Sequence, residues 1–162
     1  MRLRSFGTAW VLAGAVACSS APVVTPARQA ERFVAALNAD SVDILLAVSR
    51  DQFAFRSQSW ESAPGGEGFV LGAVQDRSCS DEACRRRLFE ELVRSVEIEG
   101  ATAADTLAAG DSTLAEYLKG APPAWSHGVE WFLFLRGSAD VEHIALVGVD
   151  PRLRKVAVLY VN

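Results

Sequence analysis

The spacing of apolar residues predicts two helices near the start of the chain. One stripe recurs at i, i+3, i+4 and i+7, the period of an amphipathic helix face: Ala30, Phe33, Val34 and Leu37. Thr25 and Pro26 before it are typical of an N-cap and a first helical residue. A second, shorter helix is predicted from residue 40 or 41, with apolar positions Val42, Leu45 and Leu46.

The pattern then changes to the alternation of a strand. Residues 51–60 place Phe53 and Phe55 on one face. Arg56 and Trp60 share the other face and are candidates for the mouth of a cavity.

Loop and helix signals follow this strand. Glycine and proline in 62–68 indicate a loop, whereas the apolar run 69–74 is too short to distinguish a strand from a helix. From Ser80 a helix is predicted on the stripe Leu88, Phe89, Leu92, Val93 and Val96. The arginine run 85–87 has glutamates one helical turn later, so it is predicted to be a solvated helix face.

The last third of the chain has the clearest strand pattern. Strands are predicted at 129–136, 141–149 and 154–161, and the short turns between them predict an antiparallel β-meander.

A short helix is predicted from Asp111 to Gly120, with Leu114, Tyr117 and Leu118 facing inward.

The final strand is apolar on both faces, which predicts a central position in the sheet. Regular alternation would place Val156, Val158 and Tyr160 on one face. Ala157, Leu159 and Val161 would then lie on the other face.

Helices followed by an antiparallel sheet predict one α+β domain over residues 26–162, with N-terminal helices packed on one sheet face. The segments 30–37, 43–46, 53–55 and 154–160 resemble the NTF2-like (SnoaL-like) superfamily. That resemblance implies a curved sheet wrapped on a helix around a conical cavity. The cavity hosts enzymes in some members of the superfamily and only binds ligands or partners in others, so fold does not settle function.

The N-terminal segment predicts export. Arg2 and Arg4 precede an apolar stretch that is too short to span a membrane and fits a signal peptide over residues 1–17. The sequence Ala15-Val16-Ala17-Cys18 resembles the lipobox of bacterial lipoproteins. The resemblance implies a lipid on Cys18, a tether over 18–25 and, because no aspartate follows Cys18, an outer-membrane protein facing the periplasm.

An alternative remains open at the same peptide bond. Ordinary cleavage after Ala-x-Ala would leave Cys18 without a lipid and release a soluble periplasmic or secreted protein.

Composition narrows the class of partners. The 162 residues are 50% hydrophobic and 22% charged, which is typical of a globular domain. The net charge is −4, and loss of Arg2 and Arg4 with the signal leaves 14 basic against 20 acidic residues, or −6. A mildly acidic domain does not attract nucleic acid, so no nucleic-acid partner is predicted.

The chain offers few residues for catalysis. Its two histidines are His127, in a proline-rich loop, and His143. His143 with Glu130 is a candidate acid–base pair. No cysteine or carboxylate lies at ligand spacing from either histidine, so no metal site and no cofactor is predicted.

Two further groups bear on function. Cys79 and Cys84 flank a helix start in an exported chain, which favours a structural disulfide over a redox pair or two separate thiols. A core or a dry pocket is expected from Phe53, Phe55, Trp131, Leu133 and Tyr160.

The sequence therefore favours a non-enzymatic envelope protein that binds a ligand or a protein partner. The alternative is a cavity enzyme, a hydrolase or isomerase, that uses His143 with Glu130 or another carboxylate.

Overall fold

The computed structural model describes residues 24–98, 100, 103, 105–108, 110–136 and 143–162. The predicted signal and Cys18 lie outside this part of the chain. The helices are α1 (Pro26–Asn38), α2 (Val42–Val48), α3 (Glu82–Ser95), α4 (Ser112–Tyr117) and α5 (Pro123–Ser126). The strands are β1 (Ser49–Ser62), β2 (Phe69–Cys79), β3 (Asp105–Leu107), β4 (Glu130–Arg136), β5 (His143–Asp150) and β6 (Lys155–Val161).

The protein is α+β, as predicted, but its sheet is mixed. The strand order is β2-β1-β6-β5-β4-β3, and β1 runs parallel to β6 while all other neighbours are antiparallel. The expectation of an antiparallel sheet is therefore wrong at this pair. Tight turns fix antiparallel direction only between consecutive strands, and β1 and β6 are far apart in sequence.

Local signals place the helices where the periodicity predicts them. The Thr25 Oγ1 accepts the Arg28 N–H at 3.3 Å, and Pro26 occupies the first helical position of α1. The Asp81 Oδ1 accepts the Cys84 N–H at 2.8 Å and caps α3, which begins two residues later than predicted. The segment 69–74, ambiguous in sequence, belongs to strand β2.

Helices α1, α2 and α3 cover one face of the sheet and form what we call the helix-side core. Its centre is three phenylalanine rings, Phe33 from α1, Phe53 from β1 and Phe89 from α3. Their centroids lie 4.9 to 6.0 Å apart, which is the range of direct aromatic contact.

Arg85 corrects the prediction of a solvated arginine face. Its side chain is buried and donates to the carbonyl oxygen of Arg50 at 2.9 Å, the Ser49 Oγ at 3.1 Å and the Asp51 Oδ1 at 2.9 Å. Helix α3 packs against the junction of α2 and β1, so this guanidinium also meets the carbonyl oxygens of Leu46 and Ser49 at the end of α2. Arg86 is solvent-facing, but its partners are Asp43 and Glu82.

A second set of buried residues lies on the other face, and we call it the opposite-side core. It consists of Ala54, Leu114, Trp131, Ile144, Leu146, Ala157, Val158 and Tyr160. The short helices α4 and α5 cover it in part, with Leu114 buried and Tyr117 and Leu118 packed against it as predicted. A Cβ at Gly148 would lie 3.2 Å from the Trp131 ring, so glycine lets that indole lie flat on β5.

Strand β6 is central, between β1 and β5, and Val156 to Val161 are all buried, which confirms the predicted position. The predicted alternation is wrong at Val156 and at Ala157, which exchange faces. A bulge between β5 and β6 makes Ala157 an extra residue, since Val149 opposes Val156 while Gly148 opposes Val158. Val156 therefore joins the helix-side core, and Ala157 joins Val158 on the other face.

Candidate functional site

A cleft of about 300 Å³ opens on the sheet face opposite α1, α2 and α3. Strands β1, β2 and β6 and helix α5 contribute its lining. Its volume is at the lower end of the range for small-molecule sites.

The cleft lies where β6 loses register with both of its neighbours. Along β1, Ser49 opposes Val156 and the next pair is Ala54 with Val158. Four residues of β1, 50–53, therefore stand opposite Ala157 alone, which also has no register partner in β5. Such bulges interrupt the ladder and are common beside binding sites.

The floor and one wall of the cleft are apolar. Ala54, Ala157 and Val158 form the floor, and these small side chains leave the space that larger ones would fill. The wall is Trp125, which α5 holds half-buried against the opposite-side core. Pro123 at the first turn of α5 fixes where this short helix begins.

The rim of the cleft is polar and carries one charge, on Arg50. The Arg50 Nη1 lies 3.5 Å from the Asp150 Oδ2, and its Nη2 donates to the Gln52 Oε1 at 3.4 Å. The other Asp150 oxygen accepts the N–H groups of Arg152 and Leu153 at 2.9 and 3.0 Å. Asp150 is thus held by its turn, and it orients Arg50 through a long contact.

The predicted disulfide is present and borders the cleft. Cys79 and Cys84 are bonded, with Cα atoms 5.4 Å apart. The bond joins the end of β2 to the first turn of α3. Ser78 and Ser80, on either side of Cys79, contribute to the lining, so the bridge fixes the segment that forms this edge of the cleft.

Arg56 does not line a cavity mouth with Trp60. Arg56 is 3% exposed, and its guanidinium donates twice to Asp76, Nε to Oδ1 at 2.7 Å and Nη2 to Oδ2 at 2.8 Å. A third donor, Nη1, reaches the carbonyl oxygen of Lys119 at 2.9 Å. The hydrogen bonds to Asp76 raise the pKa of Arg56. This pair joins β1 to β2 and holds the segment after α4.

Tyr160 lies beside this pair and is fully buried. Burial raises the pKa of its hydroxyl well above the ordinary value of 10.0. Its ring contacts Tyr117, with centroids 5.5 Å apart. Within the described part of the chain, the Tyr160 hydroxyl has no hydrogen-bond partner.

The strand register does not bring His143 and Glu130 together. Glu130 opposes Val149, whereas His143 opposes Arg136 six positions along β4, which is about 20 Å at the rise of an antiparallel strand. His127 is exposed at the end of α5. Among the residues described, no three histidine, cysteine or acidic side chains group as metal ligands.

The five apolar residues expected to form one core or pocket are divided between the two faces. Phe53 and Phe55 belong to the helix-side core, and Trp131, Leu133 and Tyr160 lie on the opposite side. The space between α1 and the sheet, where the superfamily resemblance implies a conical cavity, holds the three phenylalanine rings described above.

The residues of the cleft were not predicted as a site. Alternation along β1 places Arg50 and Gln52 on the face of Ala54, which is a signal that the sequence does contain. The register break at Ala157 has no local signal, because it arises from pairing between distant strands. Trp125 lies in the short helix α5, and the docking of this helix depends on the completed sheet.

Comparisons with protein-family models, with curated proteins and with solved structures find no match to this chain. In the described segments, no helix combines the length and apolarity needed to cross a membrane.

Proposed function

We propose that this chain is an exported envelope protein, anchored by a lipid on Cys18, whose domain binds a small ligand without converting it. The cleft is the observation that carries the binding role, because an apolar floor, an aromatic wall and one cation meet there. Among the described residues that line it, Arg50 is the one charged side chain. The described lining thus contains a charged group that could recognise a ligand, but no pair of residues for acid–base catalysis.

The disulfide supports export. Disulfides persist in oxidising compartments and are rare in the cytosol, and the Cys79–Cys84 bond stabilises one edge of the proposed site. Together with the lipobox-like Ala15-Val16-Ala17-Cys18, it supports a location at the outer membrane facing the periplasm.

The anchor is tested by Cys18→Ala. We expect this variant to lose incorporation of labelled fatty acid and to accumulate as the uncleaved precursor, because the modified cysteine defines the processing site. Ser19→Ala is the control and should mature normally. Normal cleavage of Cys18→Ala and release of a soluble protein would instead support the Ala-x-Ala alternative.

The binding role is tested by native mass spectrometry of protein extracted from envelope membranes. We expect a small molecule bound to the wild type and to Arg152→Gln, whose exposed side chain lies outside the cleft. Trp125→Ala should lose that molecule while keeping its fold. A wild type without any bound small molecule would contradict the proposal.

We also propose that the domain is NTF2-like, with its conical space filled by aromatic rings. The order of two helices, a long hairpin, a third helix and then four strands supports this assignment. An experimental structure in which the sheet does not curve around α1 would exclude it.

A further inference from the structure

The charge of the cleft indicates the sign of its ligand. Arg50 places a cation at the rim of a protein whose net charge is −4. Its contacts with Asp150 and Gln52, at 3.5 and 3.4 Å, are long for charge-assisted hydrogen bonds. They orient the guanidinium, and its side chain stays 25% exposed. A carboxylate is the planar anion that such a fork recognises through two donors.

The shape and chemistry of the interior limit the rest of the ligand. The floor of Ala54, Ala157 and Val158 offers no polar side-chain atom. A sugar would bring hydroxyl groups onto that floor, where no side chain could hydrogen-bond them. A flat apolar body needs no such partner. Trp125 presents an aromatic wall to such a body.

We infer that the cleft takes a small planar carboxylate, with its carboxylate on the Arg50 guanidinium and its apolar body against Trp125. Ser78 and Ser80 on the β2 side can bond a further acceptor on the ligand. The volume of about 300 Å³ suits a one- or two-ring molecule and not a peptide. The inference rests on the proposed function, because it assumes that the cleft is a ligand site.

The test compares matched acids and amides on the purified mature chain. Benzoate and indole-3-carboxylate are titrated beside benzamide and indole-3-carboxamide, with binding measured by calorimetry or ligand-observed NMR. We expect each acid to bind about tenfold tighter than its amide, as for a hydrogen-bonded charge pair. Arg50→Gln should abolish that preference, so that each acid and its amide bind alike.

Two further variants sharpen the result. Arg50→Lys should keep part of the preference, because lysine retains the charge but not the fork; it also carries the test if Arg50→Gln unfolds. Trp125→Ala should weaken the binding of acids and amides alike. Arg152→Gln removes a nearby exposed arginine and should change nothing.

The outcomes separate the two proposals. Equal binding of acids and amides, unaffected by Arg50→Gln but lost in Trp125→Ala, would overturn the carboxylate class and leave the cleft as a ligand site. Failure of all four probes to bind the wild type at millimolar concentration would overturn both.

Discussion

The two faces of the sheet are built differently. On the helix side, three helices of 13, 7 and 14 residues press large side chains into contact. On the opposite side, helices of six and four residues cover the sheet only in part. The cleft, its rim cation Arg50 and the Tyr160 hydroxyl, which has no hydrogen-bond partner among the described residues, all lie on this second face. We therefore assign the stable core to the helix side of the sheet and propose ligand recognition on the other side.

We expect the largest difference in stability between the two faces from a pair of aromatic-to-alanine substitutions. Phe89→Ala removes a ring that contacts Phe33 and Phe53 in the helix-side core. We expect it to lower the free energy of unfolding by about 3–5 kcal/mol. Trp125→Ala, on the half-covered face, should lower it by less than about 1 kcal/mol. Urea unfolding measures both, and equal losses would show that the faces do not differ in this way.

Arg85 gives the second test, because it is a buried charged side chain on the helix side of the sheet. Arg85→Met removes donors to the Ser49 hydroxyl and the Arg50 carbonyl. Buried acceptors left without partners should lower the free energy of unfolding by about 2–4 kcal/mol. Arg87→Met, on the exposed face of the same helix, should change it by less than about 0.5 kcal/mol. Similar values for the two variants would reject the capping role of Arg85.

We expect Tyr160→Phe to have the smallest effect on the free energy of unfolding. The sign of that effect shows whether the hydroxyl is hydrogen-bonded. The substitution removes a buried hydroxyl that has no partner among the described residues. At pH 7 we therefore expect stability to be unchanged or raised by up to about 1 kcal/mol. A loss of 2 kcal/mol, roughly that of a broken buried hydrogen bond, would mean that the hydroxyl is bonded in solution.

The same variant has a distinct pH dependence. Burial raises the pKa of Tyr160 above its ordinary value of 10.0, so above pH 10 the unfolded chain loses this proton before the folded protein does. The unfolded state then binds fewer protons, and stability falls as pH rises. Tyr160→Phe should reduce that alkaline fall, as measured by urea unfolding at neutral pH and above pH 10.

Local patterns in the sequence predict much of the helix-side core. The stripe of α1, the start of α3 near Ser80 and the Cys79–Cys84 spacing each depend on neighbours within a few residues. The parallel pairing of β1 with β6, the bulge at Ala157 and the buried Arg85 depend on residues far apart in sequence. The cleft belongs to this second group, so its residues are visible in the sequence only as ordinary alternation.

The bulge at Ala157 also determines where the chain can change length. Deleting one residue from a regular strand moves every residue beyond it to the other face. Ala157 is the extra residue of β6, so a chain without it would still place Val156 and Val158 on opposite faces. The central strand thus contains one position that tolerates a deletion without exchanging the two cores. Such a deletion would remove part of the cleft floor, so a variant shortened here would keep the fold and lose the proposed site.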